Sequence, residues 1–378
     1  MKNQSALFQL EEEVTYLNGA FMSPLLTSVA AIGQEQVAAK LTPYKISGDD
    51  FFTKVNKVKK EFDRLINAQD SERIAIIPSV SYGLANVVKN VEVHNKEILV
   101  VAEQFPSNIY PWMELEKSQN AKIITVSPPD SLENRGRIWN ERVLKAINKN
   151  TGIIAISHTH WADGTLFNLK EIRVKATEVG ALLIIDGTQS VGALPFDVQE
   201  IKPDALICAG YKWLMGPYGI GVAYYGPAFD KGIPIEQNWI NRKDSENFAG
   251  LVNYKEEYQP GAMRYSVGEQ SNFILVPMLL KSIQQLNTWG ISSIQAYCKS
   301  ITERPLDVLK QKGYWVEDES YRGAHLFGIR KEGMQVDEMK KELEKHHIFV
   351  SIRGSSIRVS PNVYNTEEDM MKLVEVLN

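Results

Sequence analysis

The chain has 378 residues, which at roughly 150 per domain is enough for two or three domains and a large buried core. Its 42 Lys and Arg against 46 Asp and Glu leave a formal charge of −4, so nothing in the bulk charge draws it to a polyanion, and neither nucleic acid nor membrane is expected as a partner. The two cysteines, Cys208 and Cys298, fit neither a disulfide framework nor a zinc spacing, and point to a reducing, cytoplasmic compartment.

The opening MKNQSALFQLEEEVTYLN has no apolar targeting core and reads as mature protein. From Glu72 to Tyr225 short apolar, β-branched runs alternate with amphipathic stretches, the pattern of a parallel sheet with crossover helices. The runs are ERIAIIP, KEILVVA, AKIITVS, TGIIAIS, ALLIID, DALICAG and GIGVAYY. They lack polar alternation, as expected of strands covered on both faces. Between them, residues 168–180 place Leu169, Ile172, Ala176 and Val179 on one helical face and end at the C-capping Gly180. Residues 226–270 break the rhythm and read as a long excursion at a surface or interface. A smaller α+β unit follows, opening with the helical pattern NFILVPMLLKSIQQLNTWG. Its apolar run FILVPMLL is interrupted by Pro277 and falls short of the ~18 residues that span a bilayer.

Ligands of an open α/β sheet collect at the carboxyl ends of its strands. ALLIID ends in Asp186, and DALICAG is followed by Tyr211 and Lys212 in the glycine-rich GYKWLMGPYGIG. One reading of the two charges is a buried structural ion pair. The other is a shared aromatic cofactor, pyridoxal phosphate, with Lys212 forming the Schiff base and Asp186 keeping the pyridine nitrogen protonated.

The block IIDGTQSVGALPFDVQEIKPDALICAGYKWLMGPYGIG resembles the signature of class V aminotransferase-type pyridoxal phosphate enzymes, a group that includes cysteine desulfurases, kynureninases and isopenicillin N epimerase-like proteins. YLNGAFMSPL, SVSYGLANVV, FPSNIYPW, HTHWADGT, GAMRYSVGEQSN and IRVSPNVYNTEED follow the family's order along nearly the whole chain. The resemblance implies an α/β fold of type I, a large cofactor-binding domain over residues 16–270, a small domain from 1–15 and 271–378, and a homodimer with its active sites near the interface.

It also implies site residues. Ser79, Val80 and Ser81 match the phosphate loop, at a helix N-terminus suited to an anion. Phe105 matches the aromatic that stacks on the cofactor ring, with Asn108 a polar neighbour. Trp161 matches the position near the 3′-oxygen, with Asp163 beside it, and Gln189 the position that contacts the ring oxygen. Tyr211, Thr188 and His160 are further phosphate or substrate contacts. Arg358 matches the arginine that grips the substrate α-carboxylate, with Arg353 a weaker second candidate. Arg264, Trp239 and Asn272 fall where the family reaches across to the partner subunit. His158 and His160 have a metal-like spacing, but without a third ligand no metal is expected.

The reaction is less defined than the cofactor. No cysteine stands shortly before Arg358, where desulfurases carry their nucleophile. Gly268-Glu269 replaces their Gly-Thr pair, and Gln189 stands where kynureninases have His. The remaining reactions share α-proton abstraction by Lys212, and then diverge into transamination, epimerisation or β-elimination. The expectation is an aminotransferase acting on an amino acid, with a lyase or epimerase as the alternative and a non-catalytic scaffold behind both.

Overall fold

The computed structural model describes residues 1–377. After a two-residue strand β1 (Thr15–Tyr16), all seven apolar runs form strands: β2 (Ile74–Ile77), β3 (Glu97–Val101), β4 (Lys122–Val126), β5 (Thr151–Ser157), β6 (Leu182–Asp186), β7 (Ala205–Ala209) and β8 (Gly221–Tyr225). They make one sheet in the order β2-β8-β7-β6-β5-β3-β4. Only β8 is antiparallel to its neighbours. The stretch from Gly210 to Ile220 that joins it to β7 contains no helix, so the chain can only double back there.

Helices α1 (Thr27–Ala39), α2 (Asp50–Ile66), α3 (Val80–Lys89), α4 (Tyr110–Gln119), α5 (Arg135–Ala146), α6 (Leu169–Val179) and the single turn α7 (Val198–Ile201) surround the sheet. Side chains alternate across it. Ile74, Leu99, Ile154 and Leu183 join one core, whereas Ala75, Ile98, Ile153 and Ile184 join a second on the opposite face. Burial on both faces therefore replaces the polar alternation of a half-exposed strand. As its periodicity indicates, α6 buries Leu169, Ile172 and Ala176 and stops at Gly180, where φ is 72°.

Residues 226–270 contain only short 3-10 turns. Then come α8 (Leu275–Trp289), α9 (Ile291–Gln311), β9 (Trp315–Val316), β10 (Phe327–Arg330), α10 (Val336–Lys345), β11 (Ile348–Phe349), β12 (Ser351–Arg353), β13 (Ser356–Val359) and α11 (Glu367–Val376). α8 packs on α1 and α2 and contributes Val276, Leu279 and Ile283 to the first core. The small sheet runs β12-β13-β10-β9, antiparallel throughout, over its own core of Phe327, Ile329, Ile357 and Val359.

IFVSIR reads in sequence as one strand but divides in two. β11 pairs in parallel with β1, near the opposite end of the chain, and β12 pairs with β13. Among the described residues no helix is long and apolar enough to cross a membrane.

Candidate active site

β2, β3, β5, β6 and β7 run in one direction, and the segments that leave their carboxyl ends enclose a cavity of about 250 Å³. Asp186, the last residue of β6, and Lys212, just beyond β7, both line it. Gly210 makes the turn into Lys212 possible, because any side chain there would run into the Ile220 carbonyl.

The carboxylate of Asp186 accepts a 2.9 Å hydrogen bond from the Thr188 amide. Burial raises its pKa, opposed by Thr188 and by the Lys212 charge. Burial and then Arg358 pull the Lys212 amine down to about 8, with Asp186 acting the other way. The ammonium lies 5.6 Å from the Phe105 ring centroid and 5.7 Å from that of Tyr211.

Ser79 caps α3 through a 3.2 Å bond from the Tyr82 amide, and its hydroxyl meets that of Ser81 at 2.9 Å. Ser79, Val80 and Ser81 line the cavity at the helix's first turn, where amides have no partner inside the helix. Phe105 and Trp161 meet edge to face at 5.4 Å on the same cavity, and Trp161 is anchored by a 2.6 Å bond from its indole nitrogen to the Glu103 carbonyl. Gln189 also lines it, but its amide is engaged at both ends, donating to the Ala20 carbonyl and accepting from the Trp213 indole. Tyr211 and Thr188 complete this group.

Other candidates lie elsewhere within the chain. Asn108 accepts from the buried Trp112 indole at 3.1 Å and does not line the cavity. His160 is buried between the Ala102 carbonyl and Asp163, and Asp163 is itself the centre of an ion cluster with Arg135 at 3.0 Å and Arg330 at 3.1 Å. His158 packs on Phe196, and burial holds its pKa down at about 3. Arg358, on β13, is buried just beyond Trp161; it donates to the Trp161 carbonyl at 2.8 Å and to the Ser351 hydroxyl at 3.3 Å.

Arg264 bonds the carbonyls of Gly261 and Gly232, and Asn272 caps α8 through the amides of Ile274 and Leu275. Trp239 packs on Phe51 and Phe248. These three stand apart from the cavity of their own chain.

Sequence reasoning overlooked Gln104, Ser107, Ser157, Thr159 and Tyr218, all of which line the cavity. Ser157 ends β5, so the strand-end rule that selects Asp186 would have found it too. The amide of Gln104 and the hydroxyls of Ser157 and Thr159 are buried without a hydrogen-bond partner. Each orphaned group costs about 1–3 kcal/mol. A wall that carries several of them is made for a polar ligand. Together with the α3 terminus, the aromatic pair and the facing Asp186 and Lys212, these groups fit a phosphorylated pyridine aldehyde.

The sequence model described as Aminotransferase class-V matches residues 44–373. An uncharacterized aminotransferase of Bacillus subtilis (strain 168), YcbU, is 28% identical over 327 residues, covering 85% of this chain and 82% of that protein. A probable cysteine desulfurase of Pyrococcus abyssi is 31% identical over 338 residues, covering 85% and 79%. Among solved structures, the cystine C-S lyase C-DES with its product cysteine persulfide superposes with a TM-score of 0.85 at 19% identity, covering 96% of this chain and 97% of that one. A family match over almost the whole length means that the chain belongs to the class V aminotransferase family of pyridoxal-phosphate-dependent enzymes.

Proposed function

We propose that this enzyme is an aminotransferase acting on an amino acid, with Lys212 as the lysine that carries the cofactor and moves the substrate's α-proton. The observation that carries this reading is the meeting of Asp186 and Lys212 in one cavity, the amine brought down to about 8 by burial and Arg358. Bound pyridoxal phosphate supplies an electron sink for the pair left on the α-carbon. The carboxylate of Asp186 holds the proton on the pyridine nitrogen. The first turn of α3, with Ser79 and Ser81, takes the phosphate, and Phe105 and Trp161 flank the ring. Arg358 fixes the α-carboxylate by its planar fork and so sets which bond of the substrate faces Lys212. The Lys212 Nζ then takes the α-proton and returns it, with an amine that is largely neutral above pH 8.

Both thiols are buried outside the cavity, and burial pushes Cys298 up to about 12 and Cys208 well above its ordinary value. A persulfide-forming thiolate is thus missing from the site, which favours transfer over desulfuration among the described residues. The second reading is β-elimination from a sulfur amino acid, which needs no enzyme thiolate and is in keeping with the lyase named above. Large apolar side chains stand exposed at Leu41, Tyr44, Val252 and Tyr254, and a second copy of the chain would cover such groups.

Single-turnover mass spectrometry on the cofactor-loaded enzyme with a panel of amino acids tests the reading. A 2-oxo acid formed with the amino group retained on the enzyme is the expected result. Release of ammonia with pyruvate assigns elimination instead, and turnover by Lys212→Ala at the wild-type rate would overturn both.

A further inference from the structure

β12 and β13 are an antiparallel hairpin in which Ser351 faces Arg358 and Arg353 faces Ser356. Strand alternation therefore puts Arg353 and Arg358 on the same face, as diagonal neighbours roughly 7 Å apart. Ile352 and Ile357 take the other face and pack in the core of the small sheet. Both arginines meet Trp161, which lines the cavity: Arg358 donates to its carbonyl at 2.8 Å, and the Arg353 guanidinium sits 5.2 Å from its ring centroid.

Among the described residues the pair has no counter-ion: neither guanidinium forms an ion pair, and the nearby Asp163 is occupied by Arg135 and Arg330. The Nε of each is buried without a hydrogen-bond partner. The bond Arg353 does make, 2.7 Å from Nη1, goes to the carbonyl of the adjacent Ile352 and leaves Nη2 and Nε without a described acceptor. Burial and Arg353 together hold Arg358 down at about 9, and both cations act on Lys212. Two like charges at this separation repel, and the small sheet imposes the separation through backbone register. One arginine satisfies an α-carboxylate. A second, half-exposed and with free donors on the same face of the hairpin, is surplus for a substrate that carries a single negative group.

We propose that Arg353 is a specificity-determining residue that binds a second carboxylate, so that the substrates are acidic amino acids and the corresponding 2-oxo diacids. This rests on the reading that Arg358 takes the α-carboxylate. The planar donors left on Arg353 match a carboxylate in paired geometry. The side chain of such a substrate spans from Arg358 toward Arg353 and supplies the counter-charge that Arg353 still lacks once the α-carboxylate has paired with Arg358.

The test is calorimetric titration of the cofactor-loaded enzyme with the unreactive probes succinate and glutarate, against butyrate and pentanoate as single-carboxylate controls. Each charge-assisted pair contributes enough for the diacids to bind at least about tenfold more tightly. Arg353→Gln brings the ratio close to one, and Arg353→Lys restores part of it. Equal wild-type affinities for the two classes overturn the inference without any variant, as does a ratio untouched by Arg353→Gln. If no carboxylate binds and no amino acid perturbs the cofactor absorbance, the amino-acid site itself is wrong. If neutral amino acids turn over and the diacids show no preference, only the role of Arg353 falls.

Discussion

Nη1 of Arg358 donates a 2.8 Å hydrogen bond to the carbonyl of Trp161, joining a strand of the small sheet to the segment that leaves β5 of the large one. The contact carries charge as well as geometry, since Arg358 is the strongest charged influence on the Lys212 amine. Gly164, at φ 79°, lets the same segment pass against the Leu326 carbonyl, where a side chain would collide. The proposed substrate grip and the state of the Lys212 amine thus meet at one junction.

Lys212 in the cofactor-free protein loses its proton near pH 8, whereas in an unfolded chain it holds it to about pH 10.4. The unfolded chain therefore binds more protons across that window, and cofactor-free stability rises with pH through it. Uptake of pyridoxal phosphate needs the neutral amine, so its rate climbs to a plateau above pH 8. Arg358→Gln removes a cation and moves the midpoint upward, as read by stopped-flow absorbance. An unmoved or lowered midpoint contradicts the coupling.

Glu317 behaves in the opposite sense. Burial pushes its carboxyl up to about 7, and its Oε2 has no partner. Between about pH 4.3 and that value the folded chain keeps a proton that the unfolded chain has lost, so its contribution to stability falls as pH rises. Glu317→Gln is expected to stabilise the protein at pH 8 by about 1–3 kcal/mol and to have no effect near pH 4. Urea denaturation of both forms across this range measures the difference.

Replacing both cysteines by alanine leaves turnover intact, because neither thiol reaches the cavity. The expected penalty is a stability loss of about 1 kcal/mol per site from the vacated volume. Loss of product formation, or an alkylatable persulfide on the wild-type enzyme during turnover, contradicts this.

Tyr254 is 96% exposed and Val252 78%, large side chains whose cover a second copy of the chain would supply. Light scattering after gel filtration is expected to give twice the chain mass. Val252→Asp combined with Tyr254→Asp is expected to shift it toward one chain mass, and an unchanged doubled mass places any interface elsewhere.

The large sheet is legible because strands covered on both faces appear as unbroken apolar runs, and the strand-end rule then leads directly to Asp186 and Lys212. It also leads to Ser157 and Thr159, whose small hydroxyls give no charge signal and were passed over. Motif position alone points to Asn108 and His160; Asn108 Oδ1 accepts from Trp112 while its Nδ2 is buried without a partner, and His160 lies between Asp163 and the Ala102 carbonyl. The Trp112 and Asp163 contacts are local, four and three residues apart, and what the motif match does not show is that burial turns these side chains toward their own neighbours. The division of IFVSIR is hidden because it depends on tertiary pairing, β11 finding its partner β1 near the other end of the chain.

That pairing of Thr15 with Ile348 has a consequence for synthesis. On the ribosome the seven-stranded sheet can assemble while the C-terminal residues are still being made, but the N-terminal segment must wait for β11. A chain that stops before Ile348 therefore leaves Thr15 and Tyr16 without their strand partner.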